Sequence, residues 1–239
     1  MPIQAWRIQD NRVDFRGPLN RREVQWLVDD PRLSVLQTNE PAPLSTWELL
    51  NDEFCPVRPE VQLRVYSFGE TCDLSFARRL TNARHFSADC LMDAAHVEAI
   101  AEMRNLESLG VGVFHLESFS FLWQTTPSLK MLLLGRTRSS KPDLAPLSRF
   151  TALDELYLEG HTKNIEILAE LGSLQDVTLR SISTPGLAYL RPLAQMWSLD
   201  VKLGGIKDFS ALCEAMHHVA SGLFDLRGKH PGRIQLGLR

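Results

Sequence analysis

Residues 147–179 read LSRFTALDELYLEGHTKNIEILAELGSLQDVTL, and one apolar pattern occurs twice within this stretch. The first copy places apolar side chains at Leu147, Phe150, Leu153, Leu156 and Leu158. The second copy places them 21 positions later, at Leu168, Leu171, Leu174, Val177 and Leu179. Self-similarity at an interval of this size is the sequence signature of a repeat architecture.

The last part of this pattern, L-x-x-L-x-L, recurs through the middle of the chain. Five clear copies start at intervals of 21 to 24 residues, at Leu106, Leu129, Leu153, Leu174 and Met196. Leucine is concentrated in the same region, because 25 of the 38 leucines lie within residues 106–226. Weaker copies start at Leu33, Glu60 and Ala83, and residues 234–238 (IQLGL) predict a last strand. The spacing therefore predicts one short strand and one return segment in each repeat.

These repeats resemble those of the leucine-rich repeat family, in its short-repeat, bacterial or internalin-like class. The resemblance implies an α/β fold: a leucine-rich repeat solenoid whose curved parallel sheet carries short helical or 3₁₀ returns, with an N-terminal cap. The family usually places Asn or Cys three residues after the second leucine of the strand. Here those positions hold Leu91, Phe114, Thr137, His161, Ile182 and Gly204. The repeats are degenerate in this respect. We therefore expect the backbone N–H and C=O groups of the turns to find hydrogen-bond partners other than a ladder of asparagine side chains.

The ends of the chain differ from the repeats, which predicts three segments. Residues 1–58 are expected to form a helical N-terminal cap, because 19–29 and 44–54 are amphipathic. Residues 59–226 hold the repeats, and 227–239 are expected to form a capping strand. Helical spacing marks the returns at 96–103, 164–171 and 208–219, whereas Pro146 favours a 3₁₀ turn over 143–150.

Composition excludes several classes of function. The 26 Lys and Arg against 29 Asp and Glu leave a formal net charge of −3, which argues against a nucleic-acid partner. No apolar run is long enough to span a membrane, and the first residues carry no secretory signal pattern. The four cysteines, Cys55, Cys72, Cys90 and Cys213, form no metal-binding spacing and are interpreted as reduced thiols of a cytoplasmic protein.

The sequence carries no motif of catalysis, phosphate binding or metal binding, so we expect neither an enzyme nor a cofactor. The His217–His218 pair lies in an apolar-periodic segment without carboxylate or histidine partners at ligand spacing. A different hypothesis is a small enzyme or ligand-binding protein with a pocket between the N-terminal cap and the solenoid.

The main hypothesis is a non-catalytic protein–protein interaction module that binds a partner protein on its concave sheet. Such a module would act as a regulator or as an immunity or inhibitor-type protein. Outward strand positions in the central repeats give the candidate binding residues Met131, Leu133, Glu155, Tyr157, Glu159, Asp176 and Arg180. Their acidic members favour a partner with a basic patch. A register shifted by one residue would instead turn Met131 and Leu133 inward. The sequence leaves the oligomeric state open.

Overall fold

The computed structural model describes residues 4–139, 142–208, 210 and 233–237. The chain forms two compact units. The first contains the chain up to Leu116 together with Gln124–Thr126, and the second contains Glu117–Trp123 together with the chain from Pro127 onward. A short strand followed by a tight return is the recurring element of both.

The strands of the first unit pair mainly in parallel. In chain order they are β1 (Ala5–Gln9), β2 (Arg12–Phe15), β3 (Val35–Thr38), β4 (Gln62–Tyr66), β5 (Cys72–Asp73), β6 (His85–Leu91), β7 (Ala94–Ala95) and β8 (Ser108–Val113). The hairpin of β1 and β2 is antiparallel, and β2, β3, β4, β6 and β8 then pair in parallel in that order. β5 and β7 form a separate parallel ladder.

The N-terminal segment contains the expected helices and also three strands of the sheet. Helix α1 (Arg21–Val28) begins with a capping box, in which the Asn20 side chain accepts hydrogen bonds from the amides of Arg22 and Glu23. Helix α2 (Leu44–Leu49) continues into a π-helical turn over Leu50–Phe54. β3 lies where the weak repeat at Leu33 predicts a strand, and it pairs with β4 as one repeat pairs with the next.

Arg58 ties the end of α1 to the loop that follows it. Its guanidinium donates hydrogen bonds to the carbonyls of Val28 at 3.1 Å, Asp30 at 2.6 Å and Leu33 at 3.0 Å. Only 12% of this side chain is exposed, and Glu60 pairs with it at 2.6 Å. The side chain therefore satisfies the Val28 carbonyl, which the end of the helix leaves without a partner, and adds a donor to two carbonyls of the loop.

Aromatic rings fill the interior between the N-terminal segment and the first repeats. Trp47 of α2 stacks on Phe76 with ring centroids 4.0 Å apart. Phe15 contacts the same indole edge-on at 5.6 Å, and Phe86 contacts Phe76 at 6.2 Å. All four rings are buried, so this junction is a packed core.

The second unit consists of parallel strands in sequential order. They are β9 (Met131–Leu134), β10 (Glu155–Glu159), β11 (Asp176–Arg180), β12 (Ser198–Lys202) and β13 (Arg233–Gly237). Each pairs with its neighbours in register, from β9 to β13. β13 lies where the sequence places a last strand.

The alternation of leucines determines which side of these strands is buried. Leu132 of β9, Leu156 of β10 and Val177 of β11 are direct cross-strand partners, and all three are buried. Leu132 and Leu134 point to the interior, whereas Met131 and Leu133 remain partly exposed. The register predicted from the repeats is confirmed, and the register shifted by one residue is wrong.

The described returns of the second unit are short 3₁₀ helices. They span Ser120–Trp123, Ala145–Arg149, Ile165–Glu170 and Ala188–Leu190. The 3₁₀ turn expected over 143–150 is confirmed. Residues 164–171 also form a 3₁₀ helix, in which the buried Ile165 and Leu168 lie three positions apart.

The returns of the first unit include 3₁₀ helices at Ser75–Arg79 and Val97–Glu102. The expected helix over 208–219 and the His217–His218 pair lie outside the described residues, apart from Asp208 and Ser210. Among the described helices, none is long and apolar enough to cross a membrane.

A residue with positive φ lies close to the carboxyl end of five strands, β4, β6, β10, β11 and β12. The affected residues are Ser67, Cys90, Gly160, Ser181 and Leu203. The position after it, where the family places asparagine, is filled in different ways. The His161 ring lies 3.0 Å from the carbonyl oxygen of Gly135, and the Thr137 hydroxyl donates to the carbonyl of Ser139. Leu91 and Ile182 fill the position with buried apolar side chains.

Candidate interaction surface

The seven candidate binding residues lie together on one side of β9, β10 and β11. Three rows of cross-strand neighbours form this surface, which we call the β10 face: Met131–Glu155–Asp176, Leu133–Tyr157 and Glu159–Arg180. Because side chains on adjacent parallel strands stand about 4.8 Å apart, all seven are neighbours or near neighbours. The sheet brings together every residue that the sequence assigned to the site.

Tyr157 lies at the centre of the β10 face and is half-buried. Its hydroxyl donates a hydrogen bond to Oε2 of Glu159 at 3.3 Å. Partial burial, helped by the negative charge of Glu159, raises the pKa of Tyr157. The ring is therefore neutral and held in one orientation, with Leu133 beside it across the ladder.

Arg180 neutralises one of the acidic groups on this face. Its Nε lies 3.3 Å from Oε1 of Glu159, close enough for an ion pair but without hydrogen-bond geometry. Because both side chains are partly exposed, the pair contributes little to stability, and its main effect is to offset the charge of Glu159.

Glu155 and Asp176 face each other across the β10–β11 ladder. Neighbouring atoms withdraw part of the Glu155 carboxyl from water. This partial burial, together with the negative charges of Asp176 and Asp154, raises the pKa of Glu155. The row therefore places two carboxylates side by side on adjacent strands.

The sequence analysis omitted two charged residues from the site. Asp200 and Lys202 lie on β12, where they are the cross-strand partners of Thr178, next to Tyr157, and of Arg180. The Nζ of Lys202 lies 2.6 Å from Oδ2 of Asp200, which makes a second locally neutral pair. The alternation of inward and outward side chains, from which Glu159 and Arg180 were predicted, also predicts that Asp200 and Lys202 face outward.

A polar network lies on one side of the first unit's sheet. Arg64 of β4 donates through Nε to Asp89 at 2.8 Å and through Nη1 to Gln37 at 3.0 Å, and its second Nη also bonds to Asp89. Asp14 accepts hydrogen bonds from Gln37 at 2.8 Å and from the Tyr66 hydroxyl at 3.0 Å. The groups of this network satisfy one another, which distinguishes it from the β10 face.

Sequence analysis missed two of these five residues. Arg64, Tyr66 and Asp89 occupy outward positions of recognised repeats, but Asp14 and Gln37 lie in the segment interpreted as a helical cap. Gly110 accommodates the network, because a Cβ there would lie 2.5 Å from the Ser87 hydroxyl oxygen. The Ser87 hydroxyl in turn donates to Asp89 at 2.6 Å.

Two of the described histidines pair with acidic side chains at the surface. His115 pairs with Asp93 at 2.8 Å and His96 with Glu98 at 3.2 Å, and all four are surface residues. Within the described ranges, His, Cys, Asp and Glu side chains form no group of three or more that could hold a metal ion.

Three solved structures have a similar fold. An internalin (inlF) of Listeria monocytogenes has a TM-score of 0.59 and 18% identity, over 83% of this chain and 56% of that one. Internalin C2 (inlC2) of the same species has a TM-score of 0.56 and 16% identity, over 91% and 84% of the two chains. A complex named TLR13–ssRNA13 has a TM-score of 0.54 and 15% identity, over 83% and 33%.

These similarities concern the fold alone. The chain spans 56% of the internalin (inlF) chain and a third of the TLR13 chain. Protein-family models give no match to this sequence, and a search of curated proteins gives none either. The parallel strands and 3₁₀ returns, together with the similarity to these structures, establish that the fold is a leucine-rich repeat solenoid.

Proposed function

We propose that this protein is a non-catalytic interaction module that binds a partner protein through the β10 face. One observation carries the proposal: an apolar and aromatic centre, Met131, Leu133 and Tyr157, lies in register beside charged residues on an otherwise polar sheet surface. Rigid aromatic residues surrounded by polar groups are typical of the energetic centres of protein interfaces.

Tyr157 is suited to the centre of such an interface. A tyrosine side chain supplies a large contact area with few rotatable bonds, so little conformational entropy is lost when a partner covers it. Its hydrogen bond to Glu159 already restricts the ring in the free protein. A side chain that is already ordered in the free protein loses less conformational entropy on binding.

The acidic residues of the face favour a partner with a basic patch. Glu155, Glu159 and Asp176 outnumber Arg180, and the whole chain has a formal charge of −3. Complementary charge accelerates encounter and makes association sensitive to salt. The same charge would repel a phosphate backbone, so the RNA named with TLR13 is not transferred to this chain.

We propose a cytoplasmic location for this activity, with regulation or inhibition of the partner as its outcome. The three described cysteines, Cys55, Cys72 and Cys90, are free thiols, as expected in a reducing compartment. The alternative, an enzyme or ligand-binding protein with a pocket between the N-terminal cap and the solenoid, receives less support. Buried aromatic rings fill the interior between the N-terminal segment and the first repeats.

The test begins with a partner isolated by pull-down from native lysate and identified by mass spectrometry. Titration of that partner against the wild type and Tyr157→Ala is then expected to show about a thirtyfold loss of affinity. Glu166→Ala provides the control, because Glu166 is an exposed acid on the return after β10. Loss of affinity in the control, with Tyr157→Ala unchanged, would place binding on another surface.

A further inference from the structure

The charged residues on the side of the sheet that carries the β10 face are unequally compensated. Glu159 has Arg180 at 3.3 Å, and Asp200 has Lys202 at 2.6 Å. Asp176 is next to Glu155 in the ladder, and the ion pairs formed among the described residues on these strands, Glu159 with Arg180 and Asp200 with Lys202, include neither carboxylate. The protein thus neutralises two of its acids here and leaves an adjacent pair with like charges side by side.

Like charges placed directly opposite each other on neighbouring strands destabilise a sheet. A ligand of opposite charge bound at this surface would supply the missing compensation. Here the acidic pair adjoins apolar surface, because Met131 is the cross-strand neighbour of Glu155 and Leu133 that of Tyr157. One end of an occupant would therefore contact carboxylates, and the part next to it would contact apolar side chains.

We propose that the partner anchors itself on the β10 face with an arginine side chain, whose guanidinium binds Glu155 and Asp176 together. The alkyl stem of that arginine packs along Met131, and an apolar residue of the partner contacts Leu133 and Tyr157. This inference rests on the proposed function and specifies the chemistry of the partner at that same surface.

Arginine matches this arrangement better than lysine does. Its planar guanidinium presents five donors in a fixed fork and can bond to two carboxylates at once, whereas an ammonium is a compact point charge that retains its water more strongly. Two carboxyl groups on adjacent strands, about 4.8 Å apart at the backbone, suit a flat cation between them. The apolar neighbours then cover the part of the arginine side chain that prefers to leave water.

The experiment uses random 12-residue peptides displayed on phage and selected on the immobilised full chain, with counter-selection on Tyr157→Ala. Enriched peptides are synthesised and titrated by calorimetry. We expect each to contain an arginine whose replacement by citrulline, its neutral isostere, weakens binding about tenfold or more. Replacement by lysine is expected to recover only part of the affinity.

A double-mutant cycle then locates that arginine on the protein. The variant Glu155→Gln/Asp176→Asn is expected to bind the arginine peptide about tenfold more weakly, and on this variant citrulline should cause no further loss. Glu166→Gln/Glu170→Gln removes the same charge from the return between β10 and β11 and should leave affinity unchanged. Thermal unfolding of each variant confirms that the solenoid remains folded.

The outcomes separate this inference from the proposed function. Peptides that depend on Tyr157 but carry no arginine, or that bind Glu155→Gln/Asp176→Asn as well as wild type, overturn the arginine anchor and leave the interaction surface in place. Additive losses in the cycle overturn the anchor in the same way. A selection that yields no peptide sensitive to Tyr157→Ala overturns both.

Discussion

Leu156 of β10 lies opposite Val177 of β11 in exact cross-strand register, with 1% and 0% of their respective surfaces exposed. The pair connects two consecutive repeats, because each residue holds the same position of the L-x-x-L-x-L pattern. A solenoid repeat cannot bury its apolar side alone, so contacts of this kind carry much of the stability of the second unit.

Leu156→Ala is therefore expected to destabilise the protein by about 2–5 kcal/mol, through lost burial and the cavity left between β9 and β11. Loss of coupling between neighbouring repeats should also broaden unfolding or divide it into two transitions. Urea denaturation followed by circular dichroism measures both effects. The exposed-site variant Glu166→Ala should unfold like wild type, and an unchanged midpoint for Leu156→Ala would contradict the register.

His161 is expected to make stability depend on pH. The imidazole is 1% exposed, its Nε2 donates to the Gly135 carbonyl, and its Nδ1 is buried without a partner. Burial lowers the pKa of His161 below its ordinary value of 6.5, although the Gly135 carbonyl and Glu159 act in the opposite direction. The folded protein therefore keeps the ring neutral where the unfolded chain binds a proton.

Because the unfolded state binds more protons, the contribution of His161 is complete above about pH 6.5 and decreases as the pH falls below that value. His161→Asn restores the family's usual residue, whose amide can donate to the same carbonyl, and removes the titration. The measurement is the urea midpoint of both proteins at pH 7.5 and pH 5. We expect the wild type to lose more stability between them, and parallel losses would exclude a role for His161.

Leu203 has a backbone conformation that a leucine adopts only at a cost. Its φ is +55°, and 51% of the residue is exposed, so its side chain gains little from burial. Leu203→Asn should raise the free energy of unfolding by about 0.5–1 kcal/mol, because asparagine tolerates the left-handed region better. Met92→Asn is a suitable control, since Met92 is 55% exposed and has no positive φ. A stabilisation of equal size in the control would show that removal of exposed apolar surface, and not backbone strain, is responsible.

Arg58 is expected to be essential for the N-terminal segment. Arg58→Met keeps much of the side-chain volume but leaves the carbonyls of Val28, Asp30 and Leu33 without their donor. The expected cost is about 2–4 kcal/mol, because the partly buried carbonyls of Val28 and Leu33 lose their donor without replacement, whereas that of Asp30 keeps the Leu33 amide. Hydrogen exchange of the α1 amides reports on the same loss locally. Arg78→Met, at an exposed arginine on a 3₁₀ return, should be neutral in both measurements.

Local periodicity made the second unit predictable. The strands β9 to β12, their register and the outward positions of Met131 to Arg180 follow from apolar spacing, because side chains alternate across a strand with a period of two residues. Shifting this register would turn every leucine of the pattern toward water. The same alternation also predicts that Asp200 and Lys202 share this side of the sheet.

The contacts of the N-terminal segment could not be predicted in this way. Gln37 bonds to Asp14 over 23 residues, and Arg58 reaches the carbonyls of Val28, Asp30 and Leu33 over 25 to 30 residues. No spacing pattern specifies such partners, because they depend on how α1, β2 and β3 pack against one another. The amphipathic segments predicted the helices, and the pairing of β3 with β4 revealed that the sheet extends into this segment.

The sequence by itself determined the repeat, its strand register and the set of side chains that share the β10 face, because these follow from the alternation of leucines along each strand. Only the tertiary structure decided which charges on the two units are compensated. Arg64 finds Asp89 on the neighbouring strand and Arg180 finds Glu159, whereas Glu155 and Asp176 face each other without a cation from the described residues. Compensation depends on the distance and orientation between side chains of different repeats, and those are set by packing.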